Sequence, residues 1–270
     1  MMKKFARLGA GLAILALAAT GLTACGSDNS KPADSEPSKT ADAKMIQVFA
    51  AASLKASFSE LGESFQKENP DITVKFNFDG SSSLFDQMQG GAKADVFASA
   101  DEKNMKKATD AGLNAGEPSI FVNNTLTLAV PKGNPAGVTG LNDSLNGKKL
   151  VICADGVPCG NAYRELAQKV GFTGQAVSEE TSVKDVMGKV VSGEADAGVV
   201  YQTDALAEKD SVDTIEIPGS DTVVNAYPIM VTKMAAENGN DAAAKAFVDF
   251  VLSDAAQKVF AKYGFMSPAK

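Results

Sequence analysis

The sequence predicts an α/β protein of two lobes with a ligand cleft between them. Three observations carry that prediction. From Lys44 onward, short β-like runs alternate with segments of helical periodicity, the pattern of sheets covered by helices. The character changes around Thr125 to Pro131, where Leu126, Leu128 and Val130 alternate before a Pro-Lys-Gly-Asn-Pro turn and a second series of units begins. A late strand, Ala226 to Thr232, then reads as returning to the first series. The chain therefore crosses between lobes twice, near Thr125 and near Tyr227. This assigns residues 44–125 and 228–270 to one lobe and 126–227 to the other, with no short-period repeat.

The elements follow in order. Met45 to Ala51 reads as a strand. Leu54 to Glu68 reads as a helix with Leu54, Phe58, Leu61 and Phe65 on one face, stopped by Asn69-Pro70. Ile72 to Phe78 alternates as a strand, and Ser82 to Gln89 is a short helix closed by Gly90-Gly91. Val96 to Ala98 is a third strand and Asn104 to Ala111 a third helix. In the second series Leu150 to Ala154 is a strand, Asn161 to Val170 and Val183 to Val191 are helices, Ala197 to Tyr201 is a buried strand, and Thr214 to Ile217 is another. Ala242 to Leu252 and Ala255 to Tyr263 are terminal helices. The alternation predicts a parallel sheet with covering helices.

Ahead of this body lies an address. Lys3, Lys4 and Arg7 precede an apolar run from Gly9 to Thr20, too short to span a bilayer and the right length for a signal-peptide core. It ends in Leu22-Thr23-Ala24-Cys25, which resembles the bacterial lipobox; an ordinary cleaved leader with a chance cysteine is the alternative. Residues 1–24 are thus read as signal peptide, Cys25 as lipid-modified, and 25–43 as a spacer poor in apolar residues that tethers the body to a membrane facing outward.

Composition narrows the function. The formal charge is −7, and losing the leader's three positive charges makes it −10, which argues against nucleic acid and against a basic patch on anionic lipid. No histidine is present, so a Ser-His-Asp triad is excluded. Without histidine ligands or a second cysteine pair, a bare metal cation site is not expected, nor is a cofactor. Cys153 and Cys159 are an even pair six positions apart in an oxidising compartment and predict a disulfide; two buried thiols are the alternative that spacing leaves open.

The candidate site begins with Ser53 in Phe49-Ala50-Ala51-Ala52-Ser53-Leu54, which follows a strand and opens a helix. A serine there offers its hydroxyl and the unbonded N–H groups of a first helical turn. Gly80-Ser81-Ser82-Ser83 repeats the arrangement after the next strand, and two such starts side by side suggest one oxyanion between them. In the second lobe, Gly156-Val157-Pro158-Cys159-Gly160 reads as a tight loop with outward N–H groups, Ser182 as a helix N-cap with Val186 in the first turns, and Tyr201 as a neutral phenol ending a strand.

These segments together resemble the substrate-binding component of bacterial molybdate ABC importers, over essentially all of Lys44 to Phe265. The resemblance rests on Val48-Phe49-Ala50-Ala51-Ala52-Ser53-Leu54, Phe78-Asp79-Gly80-Ser81-Ser82-Ser83-Leu84 and Ala94-Asp95-Val96-Phe97-Ala98-Ser99-Ala100-Asp101. It continues through Val157-Pro158-Cys159-Gly160, Gly198-Val199-Val200-Tyr201 and Phe260-Ala261-Lys262-Tyr263-Gly264-Phe265. It implies a two-lobe periplasmic-binding-protein fold that holds molybdate, and tungstate as well, through neutral donors and hands it to a membrane permease as a monomer. Carried over by motif, Ser53 and Ser81 give hydroxyl and N–H contacts, Cys159 and Val186 give N–H contacts, and Tyr201 gives its hydroxyl. Cys159 departs from the family's commoner alanine, a change that a main-chain donor tolerates. Ser82 replaces Ser81 if the register is off by one, and the orientation of Asp79 is open. The competing readings are a sulfate- or phosphate-binding protein, a hydrolase using Ser53 with Lys55, and a lipid-anchored adhesion module.

Overall fold

Residues 43–268 are described by the structure, a computed structural model. The leader, Cys25 and the spacer up to residue 42 lie outside the described residues.

Two five-stranded sheets organise the body. The first sheet is built from β1 (Lys44–Ala51), β2 (Ile72–Asp79), β3 (Val96–Ala98), β4 (Ser119–Asn124) and β10 (Asn225–Val231), in the order β2-β1-β3-β10-β4. The second is built from β5 (Leu126–Pro131), β6 (Leu150–Cys153), β7 (Ser178–Glu180), β8 (Ala197–Tyr201) and β9 (Val212–Ile215), in the order β7-β6-β8-β5-β9. In each, four strands run the same way and one runs against them: β10 lies antiparallel to its neighbours β3 and β4, and β5 antiparallel to β8 and β9. The sheets are therefore mixed, where the alternation predicted a parallel arrangement. The two crossings explain the difference. A chain that leaves one lobe and later returns travels in opposite directions at the two passages, so the strands beside them must run opposite ways. Asn124 at the end of β4 pairs with Asn225 at the start of β10, and only Thr125 separates β4 from β5.

The helices that carry the site follow the parallel strands. α1 (Lys55–Glu68), entered through a 3-10 turn at Ala52–Leu54, follows β1. α2 (Ser81–Gln89) follows β2 and α3 (Glu102–Asp110) follows β3. In the second lobe, α4 (Pro158–Val170) follows β6, α5 (Val183–Val191) follows β7, and α6 (Gln202–Ala207) follows β8. After β10 come α7 (Lys233–Glu237), α8 (Asp241–Val251) and α9 (Asp254–Lys262). α4 starts three residues earlier than the periodicity suggests because Pro158, at the first helical position, costs no hydrogen bond there. The loop expected at Gly156–Gly160 is thus half helix.

Burial explains why these elements stay put. The predicted face of the first helix, Leu54, Phe58, Leu61 and Phe65, is fully buried. Phe58 packs edge-on against Phe76, Phe121 and Phe260, with ring centroids 5.8–6.1 Å apart. Phe121 comes from β4 and Phe260 from α9, so this cluster clamps α1 onto elements drawn from both ends of the sequence. That rigidity matters because β1 and α1 meet at Ser53.

Candidate functional site

Four helix starts converge on one small cavity. Its walls are Ala51, Ala52 and Ser53 at the entry to α1, Gly80 and Ser81 at the start of α2, Val157, Pro158 and Cys159 at the start of α4, Val183 at the start of α5, and Ala100 and Tyr201. The first two starts belong to one lobe, the next two to the other. The space measures about 10 Å³, on the order of what one water molecule requires. It suits a ligand of a few heavy atoms and excludes a sugar or a peptide.

None of these eleven residues carries a charge. What they present is unused donors. The first four N–H groups of any helix lack intrahelical acceptors, and Pro158 has none to give, so Cys159 supplies the leading donor of α4. A hydrogen-bond chain orients the Ser53 hydroxyl. Asn124 Nδ2 donates to the Tyr227 oxygen at 3.3 Å, and the Tyr227 and Ser53 hydroxyls share a hydrogen bond of 3.0 Å. Ser81 Oγ accepts the Ala100 N–H at 3.0 Å, which leaves its own proton for the cavity.

The Tyr201 hydroxyl is fully buried and has no hydrogen-bond partner among the described residues. Burial, with Tyr227 and the carboxylates of Asp101 and Asp204 nearby, pushes its pKa well above the ordinary phenol range. Burial raises Tyr227 as well. Both phenols stay protonated, and therefore able to donate, at any physiological pH. The Asp204 carboxyl is buried and pushed up by that burial, with Lys184 Nζ at 3.1 Å opposing the shift.

The structure thus brings Ser53, Ser81, Cys159 and Tyr201 to one cavity. It does not bring Val186. The Val186 N–H bonds back to the Ser182 carbonyl at 3.4 Å, and Val183, at the first position after the Ser182 cap, takes the wall instead. Ser81 is on the wall and Ser82 is not. Asp79 turns toward its own helix, accepting the Gly80 N–H at 2.7 Å and the Gln87 side-chain amide at 3.2 Å. Cys153 and Cys159 form a disulfide that ties the end of β6 to the first turn of α4. Two groups went unnoticed in the sequence, Tyr227 and Asn124, because their contacts join positions 174 and 103 residues apart.

Outside the cavity the lobes touch again. Asn161 on α4 donates to Asp101 Oδ2 at 2.9 Å, and Asn104 donates to the Gly156 carbonyl at 3.0 Å. Asp101 is held for this role as the N-cap of α3.

Comparisons with known proteins agree with the geometry. Residues 46–266 match the family model described as bacterial extracellular solute-binding protein. A curated relative, the molybdate-binding protein ModA of Mycobacterium tuberculosis, is 42% identical over 256 residues, spanning 94% of this chain and 96% of the relative. Among solved structures, the periplasmic molybdate-binding protein of Azotobacter vinelandii superposes with a TM-score of 0.71 at 21% identity, covering 83% of this chain and all of that one. The sulfate-binding protein SubI of M. tuberculosis gives a TM-score of 0.72 at 19% identity, covering 83% of this chain and 87% of that one. At those identities the two structures speak for the fold alone.

Proposed function

We propose that this chain, which belongs to the family of bacterial extracellular solute-binding proteins, captures molybdate between its lobes and delivers it to the permease of an ABC importer. The observation that carries this reading is a cavity without charged walls onto which four helix starts and three hydroxyls converge from both lobes. Molybdate is a dianion near neutral pH; it accepts hydrogen bonds and donates none. A carboxylate in the wall would favour an anion that still carries a proton, such as hydrogen phosphate, and there is none. The 42% identity to a protein named for molybdate supports the same choice. Tungstate, of nearly equal size, is bound as well.

Each hydrogen bond to a charged group contributes about 1.5–3 kcal/mol, and several are needed to offset the desolvation of a dianion. Because the donors are split between lobes, only the closed form satisfies the ion. Binding then selects closure, and closure marks the loaded protein for the permease. No catalytic role is assigned: the Ser53 hydroxyl is bonded to Tyr227 rather than to a base. Among the described residues no helix is long and apolar enough to cross a membrane. The reading places the protein at the outer face of a membrane, as a monomer held by a lipid on Cys25.

Calorimetry on protein purified without a polyhistidine tag tests this. Molybdate and tungstate should bind and compete with each other, while sulfate and phosphate should not displace them. Tighter binding of sulfate or phosphate would move the assignment to that anion, and absence of binding to all four would end it.

A further inference from the structure

We propose that Gly80 is a positioning residue that sets how far the lobes close, and through that distance the affinity for the anion. The inference rests on the anion site described above. Gly80 is the N-cap of α2, with φ −59° and ψ 138°, a conformation open to any residue. Its own backbone therefore does not call for glycine. The space in front of it does. A Cβ at Gly80 would lie 2.1 Å from the Thr181 carbonyl oxygen, 3.3 Å from that carbonyl carbon and 3.7 Å from the Ser182 Cα.

Thr181 and Ser182 belong to the other lobe, where Ser182 caps α5. All three obstacles are backbone atoms, which cannot rotate aside as a side chain would. A methyl group at residue 80 would force a retreat of more than about 1 Å to reach ordinary van der Waals separation. That retreat falls between the starts of α2 and α5, both of which line the cavity. Hydrogen bonds occupy a window of about 0.5 Å, so an ion held by one lobe would lose its partners on the other. The bare backbone at Gly80 is what lets the two helix ends approach within joint reach of one small ion.

The test is Gly80→Ala, with Gly188→Ala as its control. Gly188 lies in α5, and a Cβ there meets nothing within 4 Å. Molybdate affinity is read by calorimetry, lobe closure by small-angle X-ray scattering with and without molybdate, and folding by thermal melting of the ligand-free protein. Gly80→Ala should melt like wild type without ligand, lose affinity by roughly 100-fold or more, and fail to contract on adding molybdate. Gly188→Ala should bind and contract like wild type. Unchanged affinity and contraction in Gly80→Ala would overturn the inference while leaving the anion site standing. So would failure of Gly80→Ala to fold, since its obstruction lies across the cleft and not within its own lobe. If wild type contracts with sulfate rather than molybdate, the ligand assignment falls and the same comparison is decided with sulfate. If wild type responds to none of molybdate, tungstate, sulfate and phosphate, both fall together.

Discussion

Replacing Tyr201 with phenylalanine separates a ligand contact from a packing role, because affinity should fall while the fold is kept. The ring is buried against Tyr227, with centroids 5.9 Å apart, and phenylalanine preserves that packing. Only the hydroxyl goes. Among the described residues this hydroxyl has no hydrogen-bond partner. With the anion present the same hydroxyl donates to a charge, worth about 1.5–3 kcal/mol, so its removal should weaken binding roughly 10- to 150-fold. Calorimetry reads that loss, and thermal melting of the ligand-free protein reads the packing that phenylalanine keeps. Tyr201→Phe with molybdate affinity within twofold of wild type would refute the argument that this phenol faces the ion.

Two further outcomes follow from the same site. The Cys153–Cys159 disulfide closes a short loop, for which chain entropy gives about 2 kcal/mol; a Cys153→Ser, Cys159→Ser double variant should lose about that much in urea unfolding and should bind molybdate more weakly, because the first turn of α4 is no longer tied to β6. The pKa of Tyr201 is raised in the fold, so its stabilisation is complete below the ordinary phenol value near 10 and is lost as pH rises above it, because the unfolded chain ionises there first. Above that pH, Tyr201→Phe should gain stability relative to wild type by about 1.4 kcal/mol per pH unit in urea unfolding, and a constant difference would contradict the buried, neutral phenol.

What the sequence disclosed was local. Ser53 and Ser81 were legible because a strand running into a serine and then a helical stripe is written in consecutive residues. The amphipathic face from Leu54 to Phe65 was legible for the same reason. β7, with the sequence Ser-Glu-Glu, has no apolar pattern to betray it; its pairing with β6 makes it a strand. The six residues of α6 are too few to show a period. The mixed sheets depend on how the two crossings lie beside each other, and local pattern does not encode that. Val186 is a different case. Ser182 was already recognisable as a cap, and the free N–H groups of a helix end at the third residue after its cap. That rule alone points to Val183 and away from Val186, whose N–H is the first one satisfied inside the helix.

An acidic protein that takes up a dianion must do so without help from its net charge. At −7 overall its field repels the ion, but at physiological salt that repulsion is screened beyond about 8 Å. Inside that range the local dipoles decide. A helix N-terminus acts as roughly half a positive charge, and four of them reach this cavity, two from each lobe. Together they present about two positive charges to an ion bearing two negative ones, and each lobe alone supplies about one. An ion resting on an open lobe is therefore half neutralised, and closing the cleft supplies the other half. The cross-cleft bonds of Asp101 with Asn161 and of Asn104 with Gly156 form in the same movement without touching the ion. Closure without ligand brings four positive helix ends together, and that cost is removed when the dianion arrives. The same arrangement makes a fixed lysine or arginine unnecessary. A full cation in the wall would hold the ion on one lobe, and the dependence of binding on closure would be lost.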